Sequence, residues 1–227
     1  MTMTITYKAL SALLAYPSAE LSAALPEIEA IVAREPKLSR AQRDALHALA
    51  AGLGQADLLD AQEAYVALFD RGRSTSLHLF EHVHGDSRER GQAMVDLKEV
   101  YAGHGFSLSV NELPDFLPAV LEYLSQRPEA EAKDMLGDCA HILRAVGEAL
   151  QDRASAYAAV LSAALAMVGE PGLAAPSRDR PPAKEKPIDE EWVDEPVIFG
   201  PAGAPGCGAP PPRTAVMQFT PRPSTTR

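Results

Sequence analysis

Three of the chain's six histidines and four of its arginines fall between Tyr65 and Met94, in the stretch YVALFDRGRSTSLHLFEHVHGDSRERGQAM. His78 and His82 stand four residues apart, a spacing at which two imidazoles on one helix face can chelate a metal ion. Leu79 occupies the place where a glutamate would complete a zinc-hydrolase pattern, and the spacing fixes no third ligand. These histidines are therefore expected to be half-buried and hydrogen-bonded, with no bound metal. Ser74, Ser76 and Ser87 lie close to histidines in sequence but in no Gly-x-Ser-x-Gly elbow, and Cys139 and Cys207 have no catalytic signature around them. No glycine-rich phosphate loop follows a strand. The expectation is a protein that is not an enzyme; the alternative of another class is a metal- or nucleotide-dependent enzyme using His78, His82, Arg71 and Arg73. Arg71, Arg73, Arg88 and Arg90 offer guanidinium forks suited to a phosphate or pyrophosphate. Against that, Asp70, Glu81, Asp86 and Glu89 are at hand to pair with them.

A second polar constellation is Asn111-Glu112-Leu113-Pro114-Asp115. On residue type alone it marks a helix start, with Asn111 or Glu112 as cap and Pro114 and Asp115 in the first turn, where a missing N–H and a negative charge are both favourable. An acidic helix start beside an apolar groove also suits a partner carrying Arg or Lys next to a hydrophobic helix.

The elements that must position these groups are all helical. Apolar periodicity and caps predict helices over 4–15, 19–33, 39–53, 56–69, 76–84, 87–102, 113–126, 129–150 and 153–168, with Pro26 implying a kink or a division of the second. Phe116, Leu117, Val120, Leu121 and Leu124 form one inward stripe, and Met135, Cys139, Ile142, Leu143, Val146 and Leu150 another. No strand and no repeat of solenoid length is apparent in the first 170 residues, so the expected fold class is all-α, a single globular helical bundle.

Thirteen of nineteen prolines follow Glu170, which divides the chain into a helical domain, 1–170, and a Pro/Gly-rich tail, 171–227, expected to be disordered when alone. The domain holds 14 Lys and Arg against 24 Asp and Glu, the whole of the net charge of −10, while the tail carries seven of each. An acidic domain argues against nucleic acid as a partner, because such binders gain affinity from cations that displace counterions. No stretch reaches the ~18 to 20 apolar residues that span a bilayer, and MTMTITYKAL lacks the pattern of an export signal, so cytoplasmic placement without stable membrane insertion is expected. The tail's acidic-apolar segment at 188–199, around Trp192, resembles a stretch that orders only on contact.

LFDRGRSTSLHLFEHVHGDSRERGQAM resembles the signature stretch of the NarJ-type nitrate reductase molybdenum cofactor assembly chaperones, a branch of the redox-enzyme maturation chaperones. Glu112-Leu113-Pro114-Asp115 resembles the Glu-x-Pro-Asp element of that wider group. Family members commonly follow this Asp with His, whereas here Phe116 stands there, which withdraws any role needing an imidazole at that position. The resemblance spans about Tyr7 to Met167. It implies a chaperone, a monomer or helix-exchanged dimer, that binds the N-terminal segment of the apo catalytic subunit of a respiratory nitrate reductase. The segment would lie in an apolar groove, held competent for cofactor insertion and kept from premature membrane attachment. On this reading Phe69, Arg71, Arg73, His78, Glu81, His82, Glu112 and Asp115 bind the client peptide. Arg88 and Arg90 make transient contact with the client's molybdopterin dinucleotide, and no cofactor is held permanently. The alternative client is another molybdoenzyme with a twin-arginine signal.

Overall fold

The computed structural model describes residues 5–85, 88–108 and 112–174. Among these residues the chain forms ten α-helices, one 3₁₀ turn and no strand: α1 (Ile5–Leu14), α2 (Ala19–Arg34), α3 (Arg40–Gln55), α4 (Leu58–Phe69), the 3₁₀ turn Arg73–Thr75, α5 (Leu79–His84), α6 (Arg88–Gly103), α7 (Leu117–Ser125), α8 (Glu129–Asp138), α9 (Ala140–Asp152) and α10 (Ala158–Val168). No described helix is long and apolar enough to cross a membrane.

The centre is built on α7, which buries every residue but Glu122, and on α10, which leaves only Ala159, Ser162 and Ala166 short of full burial. α1 packs chiefly on α7, and α9 on α10. Leu10, Leu14, Leu121, Leu124, Leu161 and Leu165 are wholly excluded from water, each contributing about 1.5–3 kcal/mol. Of the buried hydroxyls on α1, that of Ser11 donates to the Pro118 carbonyl at 2.7 Å and that of Thr6 to Glu35 Oε2 at 2.6 Å, while the Tyr7 hydroxyl has no hydrogen-bond partner among the described residues.

Local chemistry sets most helix ends. Ser18 caps α2, Ser39 and Gln42 form a capping box on α3, and Asp57 caps α4 through the Leu59 N–H. α2 runs unbroken through Pro26, so neither a division nor a second helix is needed. Four expected elements are corrected. The span 129–150 is two helices that meet at Cys139, whose backbone (φ −92°, ψ 1°) closes α8 and opens α9. The stripe of apolar residues continues across the bend, so both halves face the core and periodicity alone hid the break. Burial pushes the Cys139 thiol up to about 12, which leaves it an inert core residue. The helix expected over 153–168 starts only at Ala158, after a turn in which Ala154 adopts φ 52°. The one expected over 76–84 starts at Leu79, and the one over 113–126 at Leu117 with Pro118 in its first turn. Pro114 and Asp115 therefore precede that helix, and Asn111 lies outside the described residues.

Packing also extends past the expected boundary at residue 170. Leu173 packs over Gly147, where an added Cβ would sit 2.7 Å from Leu173 Cδ1, and its N–H donates to Ser162 Oγ at 3.2 Å. The rest of the tail, including Trp192, Cys207 and the segment 188–199, lies outside the described residues.

Candidate functional site

α5 is only six residues long, and its own sequence offers no side-chain cap for its first N–H groups. Asp115 supplies the acceptors from a remote part of the chain. Its Oδ2 accepts the Phe80 N–H at 3.1 Å and its carbonyl accepts the Leu79 N–H at 3.0 Å. The Leu117 N–H donates to the Leu77 carbonyl at 2.8 Å, completing an antiparallel bridge between His78 and Phe116. The adjoining Pro114 carbonyl accepts from the Tyr101 hydroxyl at 2.8 Å. A carboxylate aimed at a helix N-terminus is stabilised both by charge-assisted hydrogen bonds and by the helix dipole. Asp115 is fully buried, with His78 Nδ1 3.3 Å from Oδ1 and Arg90 Nη2 3.9 Å from Oδ2. The Phe116 ring lies against the His78 imidazole, centroids 5.3 Å apart. The Phe116 ring thus packs on the imidazole that Asp115 holds.

Glu81 extends this knot outward. It pairs with Arg90 at 3.1 Å and accepts a short hydrogen bond from the Ser76 hydroxyl, while the Glu81 carbonyl accepts from Arg73 Nη2 at 2.7 Å. His82 Nε2–H donates to the Ser76 carbonyl at 2.9 Å. Burial holds the His82 imidazole below its ordinary value of 6.5, and the Ser76 carbonyl only partly opposes this. Because the folded pKa is depressed, the unfolded chain binds more protons just below pH 6.5, and stability falls as pH drops through that range. Urea midpoints measured between pH 7.5 and 5.5 are expected to decline, and His82→Asn is expected to flatten that part of the slope.

The model of the nitrate reductase delta subunit family matches residues 35–163. The chain belongs to this family. Among its relatives is the nitrate reductase molybdenum cofactor assembly chaperone NarJ of Escherichia coli K12, 42% identical over 206 residues that cover 87% of this chain and 85% of that protein. A probable chaperone of the same kind, NarW, from the same strain is 40% identical over 78% of this chain and 80% of its own length. A probable NarJ of Bacillus subtilis 168 is 32% identical over 74% of this chain and 91% of its own length. The resemblance noted in the sequence is therefore to the right family, NarJ-type chaperones rather than enzymes.

Within this family member, the signature residues separate into a half-buried knot centred on the fully buried Asp115 and an exposed rim. His78, Glu81, His82, Arg90 and Asp115 meet in the knot, and Arg71, Arg73, Arg88 and Glu112 lie exposed around it. Asp115 presents no surface for a partner, because α5's N-terminus consumes its carboxylate. Phe69 is likewise buried, 4.7 Å from the Tyr65 ring and 5.1 Å from that of Tyr157. His78 precedes α5, so it and His82 do not share a helix face, and each has a different polar partner. No group of three or more His, Cys, Asp or Glu among the described residues is placed to hold a metal ion.

Two features escaped the sequence. Arg153, just past α9, donates through Nη1 to Thr75 Oγ1 at 2.6 Å and to the Leu68 carbonyl at 3.3 Å, and through Nη2 to Ser74 Oγ at 3.3 Å. It clasps the junction between α4 and the 3₁₀ turn from 78 residues away, and no local pattern signals it. The other is a cleft of about 490 Å³ among α1, α2 and α3, lined by Leu13, Ile28, Val32, Leu46 and Ala50, with the His47–Glu29 pair at its edge.

Proposed function

We propose that this chain is a dedicated chaperone of a respiratory nitrate reductase, binding the N-terminal segment of the apo catalytic subunit as a helix laid in a groove. The observation that carries this reading is 42% identity, over most of both chains, to an assembly chaperone for that enzyme's molybdenum cofactor. The knot around Asp115 supports it by giving Arg71, Arg73, His78, Glu81, His82 and Glu112 a fixed backing from which to meet a peptide. Holding the segment keeps the client off the membrane and open for the cofactor, which is cargo for the client and not a resident of the chaperone. Arg88, exposed at the start of α6, is suited to a passing contact with the cofactor's pyrophosphate, whereas Arg90 is held by Glu81 and acts by positioning. Its place of action is the cytoplasm, where an apo-subunit awaiting cofactor is found. Nothing in this cycle calls for bond chemistry by the chaperone.

Calorimetric titration of the full chain with a synthetic N-terminal peptide of a nitrate reductase catalytic subunit tests the proposal. Saturable one-to-one binding is expected, with none for the twin-arginine segment of an exported molybdoenzyme. The reverse preference would assign the chain to that other client. The α1–α2–α3 cleft is a rival location for the peptide's apolar face, and Ala33→Trp, at an exposed position on its wall, should leave affinity unchanged if the peptide binds at the α5 junction.

A further inference from the structure

α4 is fixed to the domain mainly by its second half. Tyr65 and Phe69 are its buried residues, and none between 58 and 64 is buried. The first half is tied instead to the chain just past α1: Gln62 Nε2 donates to the Pro17 carbonyl at 2.8 Å, and the Tyr16 ring stands edge-on to that of Tyr65, centroids 5.5 Å apart. Three of the six large apolar side chains exposed among the described residues lie around this contact, Tyr16 at 50%, Leu58 at 36% and Leu59 at 74%. Leu58, Ala61 and Tyr65 follow one another along one face of α4, with Leu59 and Gln62 beside them. A single exposed apolar residue needs no explanation, whereas a group of them rimmed by polar residues marks a contact surface.

The rim here is acidic. The two stretches that build it, 9–33 and 44–70, hold eight Asp and Glu and no Lys or Arg. Glu20, in the first turn of α2 just past Tyr16, and Asp57, Asp60 and Glu63 at the start of α4 are all exposed and have no ion-pair partner among the described residues. The Asp57 carboxylate is engaged in capping α4, which leaves Asp60 and Glu63 beside the leucines. The guanidinium that does reach α4, that of Arg153, is held on the Leu68 carbonyl, ten residues and about 15 Å beyond Leu58.

We infer that Tyr16, Leu58 and Leu59 form the docking surface for an amphipathic helix of a second protein, one whose apolar face is bordered by Lys or Arg. Charge complementarity selects that occupant. Two copies of this chain meeting here would set carboxylates against carboxylates, and an anionic lipid surface would be repelled in the same way. The described residues offer no strand edge for an extended peptide to extend, so a helix laid against helices is the mode that remains. Leu58, Leu59 and Tyr16 meet the partner's apolar face, while Asp60 and Glu63, neighbours three residues apart on α4, meet the cations along its border. The surface lies at the opposite end of α4 from Arg71, and the inference does not rest on the client reading above.

The probe is a synthetic helix of about 18 residues, five turns with leucine along one face and lysine on its borders, together with a twin carrying glutamate at every lysine. Titrated calorimetrically into the full chain, the lysine peptide should bind one-to-one and the glutamate twin not at all. Leu59→Glu, and separately Asp60→Lys with Glu63→Lys, should weaken the lysine peptide by about tenfold or more. Far-ultraviolet circular dichroism should show an intact fold in both, because the three positions are exposed and Asp57 still caps α4. Asp134→Lys with Glu148→Lys alters the net charge equally at exposed positions elsewhere and should leave affinity within about twofold. An equal loss in that control, which would reduce the binding to diffuse attraction, or undiminished affinity in Leu59→Glu would overturn the inference. The nitrate reductase peptide keeps it distinct from the proposed function. That peptide should bind the Asp60→Lys, Glu63→Lys variant as it binds wild type, and its failure to bind either protein while the lysine peptide behaves as described would remove only the client assignment.

Discussion

Asp115→Ala is expected to cost about 3 kcal/mol or more of stability, one of the largest effects of any single polar substitution in this chain. Three losses coincide: the acceptor for the Phe80 N–H, the counter-charge for Arg90, and the partner of His78 Nδ1. Removing one member of a buried ionic set costs up to roughly 3–5 kcal/mol and loss of a helix cap alone about 0.5–2 kcal/mol; because Arg90 keeps Glu81 and His78 is half-exposed, the loss is expected at the lower end of the first range. Asp115→Asn keeps an oxygen for the Phe80 N–H and should fall between wild type and alanine. Urea denaturation of the three proteins checks the order. An alanine variant within about 1 kcal/mol of wild type would show that water or another group satisfies α5's N-terminus, and that the knot is a by-product of packing.

The same residue shows where sequence stops being informative. Ser39 and Gln42 lie three residues apart, and their capping box on α3 was legible because every group that sets it is local. The inward stripe of α7 was legible for the same reason. Asp115 was legible only as a residue suited to a helix N-terminus. That expectation was right in kind and wrong in object: the helix it caps is α5, thirty-five residues earlier, and not the one that follows it. His78 and His82 were placed on one face by counting from a helix start at Ser76, but an Asp115 cap moves the start to Leu79 and takes His78 out of the helix. Cys139 carries no breaker signal, being neither Gly nor Pro, and the bend there arises because α8 and α9 each turn an apolar side to the core. Arg153 belongs to the same class of long-range tie, since its three acceptors lie in a junction that composition marks as polar but not as clasped. Elements came from periodicity; the site depends on contacts between segments far apart in the chain.

Phe69→Ala and Arg71→Ala stand two residues apart and are expected to fail in opposite ways. Phe69 is 5% exposed and packs edge-on and tilted against Tyr157 and Tyr65, the latter also fixed by its hydroxyl on the Leu14 carbonyl at 2.7 Å. Truncating it leaves a cavity beside three elements and removes aromatic pairing, a loss of about 3–5 kcal/mol. The fraction that stays folded should bind client peptide with unchanged affinity. Arg71 is exposed and makes no hydrogen bond or ion pair among the described residues, so its truncation should change stability by no more than about 0.5 kcal/mol. If the rim is the client surface, affinity should nevertheless fall several-fold. Urea midpoints and calorimetric affinities measured side by side decide the matter. Should Arg71→Ala bind as wild type while Ala33→Trp weakens binding, the peptide lies in the α1–α2–α3 cleft, and the knot around Asp115 serves only to hold α5 and α6 on the domain.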